Sequence, residues 1–303
     1  MNDHSRRDAL KCLGVGAGTL FTLSSGVFGA VDLADAATRK DIGTPLFVQI
    51  SDTHIGFNKD ANPDVIGTLN RSIDAVNALP HKPSFAIHTG DVTHLSKAAE
   101  FDTAAQVMKR MQVSDIHAVP GEHDVTDGPG TEFFNRFGKA SNNRGYYSFS
   151  AQGVHFIALV NVMNFKAGGL GALGDDQMAW LKDNLASVSS SQPVVVFAHM
   201  PLWNLYEPWG WGTAESAQIA QLLRRFGSVT VLNGHIHQIV QKVEGNITFH
   251  TARSTAYPQP AAGNGPGPGP LKVPADQLPK MLGITNVTID RGRKVSLSDR
   301  TLA

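Results

Sequence analysis

Cysteine is nearly absent: the 303 residues contain one, Cys12. A bridge within the chain needs two, so disulfides cannot hold this fold together, and a packed core or bound ions must do so. Net charge is absent too, with 26 Lys and Arg against 26 Asp and Glu. General binding to nucleic acid or to an anionic membrane needs a basic surface, and this balance argues against both. The longest mildly apolar stretch, residues 12–30, is interrupted by Thr, Ser and Gly, which makes it a poor permanent membrane span. No dinucleotide-binding glycine fingerprint, phosphate-binding loop or serine-nucleophile elbow is apparent. Histidine, by contrast, is plentiful at 12 residues, several of them next to Asp or Gly.

The N-terminus reads as an export signal. Ser5-Arg6-Arg7-Asp8-Ala9-Leu10-Lys11 precedes the mildly apolar stretch, and Ala34-Asp35-Ala36 offers the small residues a signal peptidase prefers. The segment resembles a twin-arginine leader, with Ala9 where an aromatic is more usual. That resemblance implies a leader over 1–36, cleavage near Ala36, use of the twin-arginine translocation machinery, and a periplasmic or otherwise exported mature protein from which Cys12 has gone. Residues 37–303 are then expected to form a single domain with no permanent membrane span.

Along that chain, short apolar runs alternate with amphipathic stretches. Apolar runs predict strands at 46–50, 85–87, 116–119, 194–198, 229–232, 247–250 and 284–289, with a hairpin of 146–149 and 154–159 turning at Gln152-Gly153. Helical spacing predicts helices over 66–79, 97–111, 175–185 and 219–226. Alternation of this kind points to an α/β layered fold. The Pro/Gly-rich segment 258–274 can be neither helix nor interior strand, leaving a surface loop or a flap.

Five of the predicted strands end in carboxylates and imidazoles: Asp52/His54, Asp91, Glu122/His123/Asp124, His199, and His235/His237. Ligand sites of open α/β sheets lie at strand carboxyl ends, so five segments deliver these groups to one edge. Charged groups gathered without a counter-ion desolvate and repel at high cost, and cations remove that cost. In extended chain, residues two apart point to the same side, which lets Asp52 and His54, or His235 and His237, face one ion. Mixed nitrogen and oxygen donors with no thiolate suit zinc, manganese or iron.

The ordered blocks D-x-H, G-D, G-x-H-D, a lone H after a strand, and G-H-x-H resemble the calcineurin-like metallophosphoesterase superfamily, from about residue 46 onward. The resemblance implies a four-layer α/β/β/α sandwich, two mixed sheets flanked by helices, with two divalent or mixed-valence ions at the rim. It also implies roles. Asp52, His54, Asp91 and His237 match the first metal site; Asp91, Glu122, His199 and His235 match the second, with Asp91 bridging. His123 matches a general acid near the leaving-group oxygen, and Asp124 is expected to orient its imidazole through a hydrogen bond. The implied chemistry is hydrolysis of a small phosphate ester, mono- or diester, by metal-bound hydroxide.

One position departs from the family pattern: Glu122 stands where asparagine is usual. A carboxylate there adds a negative charge, which favours a more highly charged ion and disfavours an anionic substrate. It either stays in the ligand set or swings away, and the latter leaves a metal-binding protein with weak or lost hydrolysis. His88 and His94 are expected beside the ligands, while His117 and His155 are expected to be structural. Trp203, Tyr206, Trp209 and Trp211 form either packing or a substrate-stacking wall.

Overall fold

The computed structural model describes residues 44–303 except 142, 143, 167 and 291–293, together with the backbone of two short strands at 20–23 and 26–29. The twin arginine, Cys12 and the expected cleavage site lie outside the described residues.

The smaller sheet has five strands in the order β13-β12-β3-β4-β5. Its centre is parallel: β3 (Thr44–Ile50), β4 (Phe85–His88) and β5 (Ile116–Ala118). The late strands β12 (Gly283–Ile289) and β13 (Val295–Thr301) add to it antiparallel. In the larger sheet the order is β1-β2-β10-β11-β9-β8-β7-β6. Here β7 (Val154–Ala158), β8 (Val194–Phe197), β9 (Val229–Asn233) and β11 (Ile247–Thr251) are parallel. Antiparallel β6 (Tyr147–Ala151) and β10 (Gln241–Glu244) flank them, followed by β2 (Gly26–Gly29) and β1 (Leu20–Leu23).

Strict side-chain alternation builds the layers, because successive strand residues face opposite ways. Val194 and Val196 pack outward beneath helices, whereas Val195 and Phe197 pack inward between the sheets. Phe85 and Ile87 point inward, and Ala86 points outward. Between the sheets Phe47, Phe85, Phe149 and Phe156 make edge-to-face and stacked contacts. Helices α1 (Val65–Asn77) and α2 (Ala98–Met108) cover the smaller sheet, and α4 (Asp175–Ala186) and α5 (Ser216–Leu223) cover the larger. This is the expected four-layer sandwich.

Helix α1 begins where Asp64 accepts the Gly67 N–H, a side-chain cap. The hairpin turn falls at Gln152 and Gly153, both at positive φ (50° and 80°), as a two-residue turn matched to strand twist requires. Elements beyond those expected include β1 and β2, which fall within the expected leader, as well as β10, β13, the short helix α3 (Thr131–Phe137) and a one-turn helix after residue 274. The polar alternation of β13 (VSLSDRT) and β10 (QKVE) supplies few apolar residues, and pairing with a neighbouring strand makes them strands. Segment 258–274 contains neither helix nor strand, as expected; a final one-turn helix, α6 (Leu278–Met281), follows it.

Candidate metal centre

The carboxyl ends of β3, β4, β5, β8 and β9 carry the predicted groups to one rim. Past β3 and β4 the two chains stay hydrogen-bonded: Asp52 N to Gly90 O (3.0 Å), His54 N to Asp91 O (3.0 Å), Ile55 N to Val92 O (3.1 Å). The backbone there is not extended. Asp52, His54, Asp91, His235 and His237 all have φ between 42° and 70°. The expectation that residues two apart share a side because the chain is extended is therefore corrected: left-handed turns aim these side chains. Such conformations cost energy outside glycine and persist where surroundings enforce them. Two motif glycines make room for the result. A Cβ on Gly121 would strike Asp91, and one on Gly234 would strike Ser51 and Asp52.

The side chains converge. His237 Nε2 lies 3.3 Å from Asp52 Oδ1 and 3.2 Å from His54 Nε2, and His54 Nε2 is 3.5 Å from Asp91 Oδ2. On the other side of Asp91, His199 Nε2 lies 3.4 Å from Asp91 Oδ2 and 2.9 Å from Glu122 Oε2, and His235 Nδ1 is 3.0 Å from Glu122 Oε1. Glu122 thus points between two imidazoles and does not swing away. The donor groups that can share one ion within this set include Asp52/His54/His237, Asp52/Asp91/His199 and Glu122/His199/His235.

Tautomers decide what the cluster can bind. A carbonyl only accepts, so His199 Nδ1 donates to Thr89 O (2.7 Å) and His237 Nδ1 donates to Tyr257 O (2.6 Å). A ring so fixed turns Nε2 into the cluster, where it offers a lone pair to a cation or, with no cation present, takes up a proton. His199 Nε2 and Glu122 Oε2 are buried and close, yet neither has a hydrogen-bond partner. Without a cation the three carboxylates draw protons onto the rings between them; a metal pair fits the same donor set in their place. Asp52 is further held by the His235 N–H (3.1 Å) and by Ser51 Oγ.

Electrostatics record the crowding. Burial pushes Asp52 up, but His237 and His199 outweigh it and hold the carboxyl at about 2. Glu122 is held well below the ordinary glutamate range by His235 and His199, against its burial. Burial lowers His199, while Asp91 and Glu122 raise it well above the usual value. His54, buried among His237, His123 and His94, is driven well down.

His123 stands beside this set, its ring 4.9 Å from that of His54. Its Nδ1 donates to the His94 carbonyl (2.8 Å), which leaves Nε2 as the free nitrogen. The expected hydrogen bond from Asp124 is not there. The buried Asp124 carboxylate instead accepts N–H bonds from Val92, Thr93 and Gly121 and the Thr93 hydroxyl. It ties the loop after β5 to the loop after β4, because three backbone donors converge on it. His88 touches Thr53 and the Gly90 N–H rather than the donor set. His117 stacks on Phe149, and His155 meets Asn184. His250 pairs with Asp299 (3.0 Å), joining the two sheets outside the donor set. Trp203, Trp209 and Trp211 are buried packing, so only Tyr206 of the aromatic loop is half exposed. The Pro/Gly-rich loop is pinched by Leu271 N to Pro258 O (2.8 Å), and Gln259 at its start donates to the His235 carbonyl (2.9 Å).

Sequence reasoning missed the groups that act through their backbone: Thr89 O, Tyr257 O and His94 O. No residue type marks a carbonyl, so only the chain path could have found them. Tyr257 also stacks its ring on His54 (4.8 Å) and lies tilted against His237 (4.7 Å, 42°).

Comparison with known proteins agrees with this geometry. The profile of the calcineurin-like phosphoesterases matches residues 45–239. The mouse serine/threonine-protein phosphatase CPPED1 is 27% identical over 216 residues, covering 63% of this chain and 69% of that one. A probable glycerophosphodiester phosphodiesterase, GpdQ of Arcobacter nitrofigilis, is 25% identical over 221 residues, covering 70% and 79%. Among solved structures, a dimetal phosphatase from Danio rerio shares the fold with a TM-score of 0.64 at 14% identity, over 86% of this chain and 97% of that one.

Proposed function

The chain belongs to the calcineurin-like phosphoesterase family, and from that premise we propose that it hydrolyses small phosphodiesters at two metal ions held by Asp52, His54, Asp91, Glu122, His199, His235 and His237. One observation carries the proposal: three carboxylates and four imidazoles converge within about 3–3.5 Å, with the buried Glu122 Oε2 and His199 Nε2 left without a hydrogen-bond partner, an arrangement that a cation pair satisfies. Bound there, two divalent or mixed-valence ions of iron, manganese or zinc supply a nucleophilic oxygen near neutral pH and neutralise phosphoryl oxygens.

The chain's own groups do the rest. Asp91 lies between both halves of the donor set and would contribute a carboxylate to each ion site. His123, with Nδ1 fixed on a carbonyl, holds a proton at Nε2 for the leaving-group oxygen. Its imidazole is raised: burial opposes the proton, but Asp91 and Glu122 outweigh burial.

The choice of diester over monoester follows from Glu122. No Lys or Arg pairs with Asp52, Asp91 or Glu122 among the described residues. A unit charge about 5 Å away counts for about 3 kcal/mol at an effective dielectric of 20. A carboxylate in place of a neutral amide therefore penalises a dianionic monoester more than a monoanionic diester. The glycerophosphodiester phosphodiesterase among the relatives is consistent with that preference.

Turnover of bis-p-nitrophenyl and p-nitrophenyl phosphate, measured with manganese, zinc and iron, tests the reading. Diester should be preferred, and Glu122→Asn should move the ratio toward monoester by about tenfold or more. A fully metallated protein that turns over neither substrate sinks the hydrolase reading and leaves a metal-binding member of the fold. Metal content and affinity unchanged in Glu122→Asn would reject its place among the ligands.

Export forms a second part of the proposal, supported by Arg6-Arg7 and the small residues at 34–36. Lys in place of both arginines should keep the protein in the cytoplasm; periplasmic arrival of that variant at wild-type level would count against the twin-arginine route. Among the described residues, no helix is long and apolar enough to cross a membrane.

A further inference from the structure

The fixed rings of the centre share one device. His199, His237 and His123 each donate Nδ1–H to a backbone carbonyl, of Thr89, Tyr257 and His94 respectively, and so turn Nε2 free. His235 instead turns Nδ1 itself to Glu122 (3.0 Å), and His54 departs in another way. Its Nδ1 has no carbonyl partner; it lies 3.4 Å from the Nδ1 of His94.

His94 itself is rigidly placed. Its N–H donates to Ile55 O (3.0 Å), the residue after His54. Its ring stacks on His123 (4.8 Å, 17° between planes) and meets the edge of Phe57 (5.2 Å). A neutral imidazole carries one N–H and one lone pair.

We propose that His94 is a positioning residue: its Nδ1 lone pair accepts the Nδ1–H of His54 and so fixes His54 with Nε2 toward Asp91 and His237. This rests on the dimetal reading, because it is the presence of a cation that obliges His54 and His237, 3.2 Å apart at Nε2, both to offer lone pairs. The proton of His54 then has only Nδ1 to occupy, and His94 is the acceptor within reach. One residue thereby governs both halves of the chemistry, through its side chain toward a ligand and through its carbonyl toward His123.

Two amides separate this from a merely structural role. The side-chain oxygen of His94→Asn sits where Nδ1 was, and that of His94→Gln sits near the place of Nε2. Both are polar at a half-buried position, so both are expected to fold; melting temperature checks this. Titration of the metal-free full chain with Zn²⁺ or Mn²⁺ against a competing chelator gives each site's affinity, beside kcat and KM. His94→Asn should keep first-site affinity within about threefold of wild type, whereas His94→Gln and His94→Phe should lose about 10–100-fold, the usual cost of removing a group that orients a ligand. Equal affinity in all three variants and wild type overturns the proposal, as does Gln rescuing as well as Asn. A third metal equivalent held by wild type and lost in His94→Asn would put a cation between these rings and overturn it too. A wild-type chain that binds no metal fails the dimetal reading itself, a distinguishable result.

Discussion

The middles of the strands and their carboxyl ends follow opposite rules. Between the sheets Phe47, Phe156, Phe197 and Val195 are fully buried, apolar and in regular strand backbone. A few residues further along, five of the seven non-glycine residues at positive φ among those described are candidate ligands, and buried polar atoms lack partners. The middle is built for stability and tolerates little loss of volume. The ends store strain and like-charge repulsion, which a fold bears only when the rest over-determines the geometry. The lesson is a division of labour along each strand: the regular part holds the irregular part in place.

Breaking the rim should cost activity and spare the fold. Asp91→Ala removes the carboxylate between both half-sites, and kcat should fall by at least ~10⁴-fold, about 5.4 kcal/mol of barrier. The metal-free variant should melt no lower than metal-free wild type, since one of three crowded carboxylates has gone. A large melting-temperature drop would show that the rim is structural and erase the contrast.

Breaking the middle should do the reverse. Phe156→Ala, at 0% exposure and in contact with Phe47, Phe85 and Phe149, should cost about 3–5 kcal/mol of stability. Chemical denaturation measures this, and metal bound per folded molecule should stay unchanged. Lost metal stoichiometry in the folded fraction would mean that the rim is not independently held.

Metal removal sharpens the comparison from the rim side. If the ions bind only the folded donor set, stripping them with chelator should lower stability by about 2.7 kcal/mol for each site that was held at a hundredfold above its Kd. Calorimetry with and without ions reads it directly, and identical melts would argue against preformed sites.

The smallest effect is expected at the His250–Asp299 pair between the sheets. Burial would raise Asp299, but hydrogen bonds from His250 and Thr285 hold it below the ordinary aspartate range. A carboxyl lower in the folded state than in the unfolded one contributes its full stability above the unfolded value, near ~4. That contribution disappears as pH falls through the folded value. Asp299→Asn should cost about 1–2 kcal/mol at neutral pH and flatten the acid limb of the stability curve, with kcat unchanged. A kcat change would link this pair to the rim.

Much of this organisation was legible in the residue order. The runs at 194–198 and 229–232 have the length and β-branched content of buried strands, and the residues that follow them are the candidate donors His199, His235 and His237. Helices with apolar stripes, such as 66–79, were legible for the same reason. β13 was not, because its residues VSLSDRT carry no buried stripe and its pairing partner, β12, makes it a strand. The resemblance sets Asp124 on His123; in space three backbone N–H groups reach it first.

Residue type and order by themselves determined the layered α/β class, the donor set from Asp52 to His237, and the one added charge at Glu122, because periodicity and chemistry are local properties of a chain. Only the tertiary structure decided which backbone carbonyls fix His199, His237 and His123, which residues turn left-handed, and that His94 faces His54. Those depend on segments up to 183 residues apart meeting at one rim. A hydrogen bond to a carbonyl depends on where the chain runs, and no side chain announces it.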